Sequence, residues 1–345
     1  MSWLDDGDDD DLDYDEADIR VRPNPKANRP RTKRRPAHAD ARNARVLGVD
    51  RGRYTVLVDE DGPDEHQILA SRARELRKQP IVNGDVARVV GDTSGDEGTL
   101  ARIVGIQDRT SLLRRSADDT DQVERIIVAN ADQMLIVVAA ADPEPRPRLV
   151  DRYLIAALDA GIHPLLVVTK TDLADPTGFL AHFEGLDDLE VFTSGHEAMP
   201  VELIGERLAG HATVFVGHSG VGKSTLVNAL VPHALRATGH VNEVTGRGRH
   251  TSSSAVSLRY EGPAGKGWVI DTPGVRSFGL GHVDPANILR AYTDLAEVAR
   301  ECPRGCTHLP DAPDCALVEA VAEGRLGDRG AARLDSLQRL LATFA

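Results

Sequence analysis

Gly217-His218-Ser219-Gly220-Val221-Gly222-Lys223-Ser224-Thr225 gathers three glycines, an ammonium and two adjacent hydroxyls into nine residues. Glycines let a backbone turn its amides inward around phosphate, and the dipole of a following helix adds positive charge. In such a loop Lys223 bridges the β- and γ-phosphates and Ser224 ligates Mg²⁺. Thr169-Lys170-Thr171-Asp172 supplies different chemistry. The Asp172 carboxylate can accept from both N1-H and the exocyclic amine of guanine, with the Lys170 stem over the ring; adenine offers no such donor pair. Thr193-Ser194-Gly195 is a candidate third contact to the base through backbone amides.

Asp271-Thr272-Pro273-Gly274 adds a carboxylate able to hold Mg²⁺ through water and, at Gly274, an amide for the γ-phosphate, although alone it also reads as a plain β-turn. Residues 246–254 are polar, glycine-hinged and hydroxyl-rich, as a γ-phosphate sensor should be, with Thr251 the first candidate for Mg²⁺ and Ser252 behind it. Farther on, Cys302-x3-Cys306-x-His308-x6-Cys315 offers three thiolates and an imidazole, the four ligands of a closed structural zinc site. With no open position, such a metal holds the fold and performs no catalysis. All three cysteines of the chain lie in this stretch, which suits a metal in a reducing compartment better than a disulfide framework.

The elements that must position these residues are legible in the hydrophobic periodicity. Apolar runs at 134–140, 165–168, 212–216 and 268–270 have strand length, and residues 149–158 repeat at helical spacing until Gly161. This predicts a mostly parallel sheet with helices on both faces, and the motifs fall where such a sheet places ligands, after the carboxyl ends of its strands. Five shorter alternating runs, at 44–49, 54–59, 66–70, 85–90 and 99–106, predict a small N-terminal β-barrel of OB type. Arg72, Arg74, Arg77 and Lys78 are expected in one connection of that barrel, and Arg114 and Arg115 after its last strand, as an RNA platform or simply as solvated loops. From residue 284 the pattern is helical to 300, and again from 317 to the end.

A length of 345 residues favours two or three domains. Aromatics are only 4%, so the cores must be built from Val, Leu, Ile and Ala. The absence of an apolar run of 15 excludes a transmembrane helix, and the acidic opening argues against a signal peptide, so a cytoplasmic location and no membrane partner are expected. Net charge is −13, but residues 1–18 hold ten acids and no base, leaving −3 for the remainder. A basic tract, 20–45, follows with ten Lys or Arg against one acid. Residues 1–40 are therefore expected to be a disordered charged tail, either an arm for RNA phosphate or a solubilising segment.

The order of the motifs is the most specific signal. In an ordinary GTPase the phosphate loop precedes the guanine motif, whereas here Lys170 precedes Lys223 by 53 residues. A chain cut elsewhere can build the same sheet, because domain termini lie at the surface and often close together. Here the chain resembles the RsgA (YjeQ) family of small ribosomal subunit biogenesis GTPases, over about residues 41–325. The carriers are Ala129-Asn130-Ala131-Asp132-Gln133, Asp151-Arg152-Tyr153-Leu154, Thr169 to Asp172, the phosphate loop, residues 246–251 and Asp271 to Gly274 continuing as Val275-Arg276-Ser277-Phe278-Gly279-Leu280.

The resemblance implies an OB-fold domain at 41–110, a circularly permuted GTPase domain at 111–282 and a zinc-binding helical domain at 283–345. It further implies a monomer that binds GTP and GDP, docks on the 30S subunit and its 16S rRNA late in maturation, and hydrolyses GTP faster there. Thr169 stands where the family has Asn, Ser252-Ser253 replace a Thr pair, and the Cys/His spacings are each one residue off the family's. Val275 occupies the position of a water-orienting Gln, so slow intrinsic turnover is expected, with His250 the candidate catalytic residue in the chain, alongside Lys223. Two other classes fit the bare motifs: a P-loop kinase or ATPase acting on a small molecule, and an RNA-binding scaffold whose nucleotide only stabilises the fold.

Overall fold

The computed structural model describes residues 38–76, 79–115, 125–186, 188–195, 198–232, 255–272 and 278–344. Five strands come first: β1 (Arg42–Asp50), β2 (Arg53–Val58), β3 (His66–Arg72), β4 (Val86–Val90) and β5 (Ala101–Ile106). They pair in the order β1-β2-β3-β5-β4, and β4 returns to β1, closing the expected OB-like barrel. Alternation dictates the closure: Val46, Val56, Val58, Ala70, Ala87, Val89 and Ile103 are fully buried and fill the interior.

The basic residues around the barrel are placed differently from expectation. Arg72 ends β3 itself, Arg74 opens a single 3-10 turn, and Arg77 and Lys78 lie outside the described residues. Arg114 and Arg115 do follow the last barrel strand, but as part of a strand of their own, β6 (Leu112–Arg115), which pairs with β7 (Arg125–Ala129). Leu113, Val128 and Ala129 are the buried residues of this strand pair, and four-residue β6 is too short to announce itself by periodicity. Asn130 locks the pair to the barrel, accepting from Thr110 N at 2.8 Å and donating to the Gly84 carbonyl at 2.9 Å.

The central sheet adds β8 (Gln133–Ala139), α1 (Pro147–Asp159), β9 (His163–Thr169), α2 (Thr177–Leu180), β10 (Glu190–Ser194), α3 (Val201–Leu208), β11 (Ala212–Gly217), α4 (Lys223–Leu230), β12 (Val256–Gly262) and β13 (Gly265–Asp271). β10-β9-β8-β11-β13 run parallel. Every residue of β8 is buried, with Met134, Ile136 and Val138 in one core and Leu135, Val137 and Ala139 in the other, so both faces need cover. α1 covers the first face and α3 and α4 the second.

β12, which the search for continuous apolar runs missed because it alternates Ser257, Arg259 and Glu261 with apolar residues, pairs antiparallel with β13. Its Val256 also pairs with Gly48 of β1, so barrel and central sheet are one continuous sheet of 11 strands. Trp268 of β13 fastens this junction. Arg45 and Arg259 lie over its ring, 5.3 and 4.9 Å from the centroid, and its indole N–H donates to Glu60 at 2.8 Å. Arg45, counted in the basic tract, is thus a structural residue of β1.

The C-terminal helices are α5 (Pro285–Arg290), α6 (Thr293–Val298), α7 (Ala316–Ala322) and α8 (Gly330–Leu341). Asp284 caps α5 by accepting from Ala286 N at 2.9 Å. The single helix expected over 284–300 is broken at Tyr292, which is buried with its hydroxyl 3.0 Å from Ser336 Oγ. Gly324 and Gly327, both at positive φ, break the one expected from 317. Leu295, Leu317, Leu337 and Leu340 share the core beneath α1.

Candidate functional site: a nucleotide cradle and a Cys/His cluster

Four parallel strands deliver the sequence-predicted residues to one edge of the sheet: β9 ends at Thr169, β10 at Ser194, β11 at Gly217 and β13 at Asp271. Because β9 and β10 pair in register, Ser194 lies beside Thr169, and the Ser194 carbonyl accepts from Thr171 N at 3.2 Å. Lys170 takes a left-handed φ of 57°, turning the chain out of the strand, and its ammonium donates to the Asp142 carbonyl. Asp172 is exposed at the edge, and a Cβ on Gly195 would stand 3.6 Å from its Oδ1. The two segments expected to hold a base are therefore neighbours.

The glycine loop occupies the turn from β11 to α4. Gly222, at φ 91°, is the residue from which α4 starts, a left-handed conformation that a side chain would strain. Val221 is buried beneath the loop, while Ser219, Gly220, Ser224 and Thr225 face solvent and His218 hydrogen-bonds its neighbour Ser219 through Nδ1. Lys223 forms an ion pair with Oδ1 of Asp271. Thr272, beside it, is buried and donates to the Phe215 carbonyl of β11 at 2.8 Å. One side chain joins the two ends of the edge: the Thr169 hydroxyl, 6% exposed, lies 2.5 Å from the Val221 carbonyl of the glycine loop. Thr251, His250 and Gly274 lie outside the described residues.

Asp142 and Pro143 are site residues that the sequence reading missed. Pro143 Cδ stands 3.7 Å from where a Gly220 Cβ would be, and Asp142 holds Lys170. Their position just after β8, another carboxyl strand end, was the available signal.

The Cys/His residues also converge. The ligand atoms of Cys302, Cys306, His308 and Cys315 all lie within 4.8 Å of one another, with His308 Nδ1 at 3.6 Å from Cys302 Sγ and 3.8 Å from Cys315 Sγ. Tetrahedral zinc with thiolate bonds of ~2.3 Å separates its ligands by about 3.8 Å, so the donor set fits that ion. Within this stretch His308 and Asp314 take left-handed backbone conformations, φ 58° and 52°. Burial pushes the Cys302 thiol up to about 11 and His308 down, keeping the imidazole neutral as ligation requires. Amides of Ala316 and Leu317, at the start of α7, point at the Cys302 sulfur, and Gln338 of α8 donates to the His308 carbonyl at 3.0 Å.

A parallel sheet with a glycine loop, a lysine–aspartate pair and an adjacent Thr-Lys-Thr-Asp turn, met in the order turn before loop, defines a circularly permuted P-loop GTPase. The RsgA GTPase family model matches residues 106–281. Among curated relatives, "Small ribosomal subunit biogenesis GTPase RsgA" of Pseudomonas syringae pv. tomato is 38% identical over 292 residues, 83% of this chain and 81% of the relative. Its namesake in Pseudomonas putida is 37% identical over 311 residues, 87% and 86%. The crystal structure of YjeQ from Thermotoga maritima aligns with TM-score 0.63 at 25% identity, covering 88% of this chain and 98% of that one. YloQ, described as a circularly permuted GTPase, shares the fold at 21% identity with TM-score 0.59, covering 90% and 99%. The chain belongs to the RsgA GTPase family.

Proposed function

We propose that this protein hydrolyses GTP while acting in the biogenesis of the small ribosomal subunit, with the nucleotide laid along the carboxyl edge of the central sheet. The observation that carries the reading is the hydrogen bond from Thr169 to Val221. It ties the turn bearing Asp172 to the loop bearing Lys223, so one ligand can span both. At the base end Asp172 accepts from guanine, the Lys170 stem covers the ring, and the turns at Thr171 and at Ser194 supply backbone contacts. At the other end the amides of Gly217 to Thr225 surround the phosphates. Lys223 then exchanges Asp271 for the β- and γ-phosphates. Ser224, Asp271 and Thr251 would hold Mg²⁺ bound with the nucleotide, which would neutralise charge on the phosphates, and the Gly274 amide would meet the γ-phosphate.

The remaining assignments follow the same reading. The residue divisions are 1–40, 41–110, 111–282 and 283–345. Cys302, Cys306, His308 and Cys315 hold structural zinc, and the protein works as a cytoplasmic monomer on the 30S subunit and its 16S rRNA. Among the described residues no helix is long and apolar enough to cross a membrane. An aliphatic Val275 cannot orient water, so turnover of the free protein is slow and His250 or the ribosome supplies the missing group. The test is GTP hydrolysis by the purified protein with and without 30S subunits, together with ATP competition. Acceleration by 30S and indifference to ATP are expected. ATP displacing GTP at equal concentration overturns the guanine role of Asp172, and no acceleration overturns the ribosomal partner.

A further inference from the structure

Three consecutive residues of α1 reach out to distant parts of the chain. Asp151, 3% exposed, lies 3.2 Å from Arg339 Nε on α8. Arg152 donates from Nε to the backbone carbonyl of Phe278 at 3.0 Å. Tyr153, fully buried, meets the Phe278 ring edge-on with centroids 5.6 Å apart. Phe278 is itself fully buried and lies seven residues beyond Asp271.

The stretch that begins at Asp271 is therefore held at two posts. At the first, Asp271 pairs with Lys223 and the Thr272 hydroxyl bonds to β11, the strand that leads into the glycine loop. At the second, α1 grips Phe278. The two contacts there are not equivalent. Ring packing is strong but tolerates sliding, whereas a hydrogen bond from a guanidinium to a main-chain carbonyl fixes one atom of the backbone. α1 is in turn paired with α8 through Asp151, so the C-terminal helices bear on the same helix that sets the second post.

We propose that Arg152 is a positioning residue for GTP hydrolysis: by fixing the Phe278 carbonyl, seven residues beyond Asp271, it sets how the phosphate end is held, without touching nucleotide. This rests on Lys223 and Asp271 being phosphate-end residues. Arg152 is only half-buried, so it can be changed without opening the core. Arg152→Met keeps the stem and removes the donor. In the full-length protein it is expected to lower kcat about tenfold while GDP and GTP affinities stay within about twofold and the melting temperature hardly moves. Arg152→Lys, which restores a donor, should recover most of the turnover. Unchanged kcat overturns the proposal, and so does a loss of nucleotide affinity and thermal stability in parallel with kcat, because that is the signature of a structural role. Lys223→Ala run alongside separates the two levels. Intact GTP binding there overturns the site and this proposal together; lost binding there with normal turnover in Arg152→Met overturns only the role of Arg152.

Discussion

The nucleotide cradle and the Cys/His cluster solve one problem, bringing distant side chains to a point, by opposite means. Residues of the cradle are spread from Thr169 to Asp271, yet each sits at or a few residues beyond the end of a strand whose register is fixed by a buried neighbour. The four residues of the cluster lie within 14 positions, but turns and short helices carry them, and the structure around them is a thin layer of helices over the face of α1. A sheet preorganises its edge before any ligand arrives; loops of this size need the ligand to organise them. The contrast predicts that the two sites fail independently and in different ways.

The largest expected effect is at the cluster. Cys315→Ser removes one of four ligands, and because metal affinity is folding energy in such sites, of order 10 kcal/mol in isolated zinc modules, α7 and α8 should lose protection from hydrogen exchange. Bound zinc per chain should fall from one to near zero while GDP affinity changes by less than about threefold. A parallel collapse of GDP binding would break the comparison, showing that the sheet edge depends on the cluster. Next comes Lys223→Ala, which removes the ammonium from the phosphate end. Turnover should fall at least about a hundredfold with zinc content and melting behaviour retained. Smaller still is Asp172→Asn. Two hydrogen bonds to a charged acceptor weaken, GTP affinity drops about ten- to a hundredfold, and the preference over ATP shrinks with it. Equilibrium titration with fluorescent GDP and ATP competition measures both.

The same contrast explains what the sequence revealed. The sheet edge was legible because its signals are local and redundant: a continuous apolar strand, then a turn with chemistry, three times over, at β9, β11 and β13. Barrel closure was legible from the alternation of Val46, Val56, Val58 and Val89. What escaped depended on contacts that no local pattern encodes. β12 alternates Ser257 and Arg259 with apolar residues and becomes a strand by joining β13 to β1. Tyr292 interrupts a helical pattern because its hydroxyl finds Ser336, 44 residues away. Thr169, a departure from the family, proves to donate to the glycine loop, a role visible only once Val221 is beside it.

The smallest expected effect sharpens the comparison at the cluster itself. Burial lowers the pKa of His308 and raises that of Cys302 to about 11, so without metal the folded cluster disfavours charge on either group. As pH falls through about 6.5, the ordinary imidazole value, the unfolded chain takes up a proton at 308 before the folded one does, and stability is lost on the acid side. As pH rises past the ordinary thiol value of 9.0, the unfolded chain ionises Cys302 first, and stability is lost on the alkaline side up to about 11. Chelator-treated protein should therefore show most protection in α7 and α8 between about pH 6.5 and 9. Zinc-loaded protein binds its sulfurs as thiolates, so the alkaline loss should vanish while the acid loss steepens as protons compete with metal. Hydrogen exchange from pH 5 to 10, with and without chelator, reads both limbs. Identical profiles in the two samples would mean that the helices, and not the metal, already organise the cluster, and the distinction between the two sites would be one of degree.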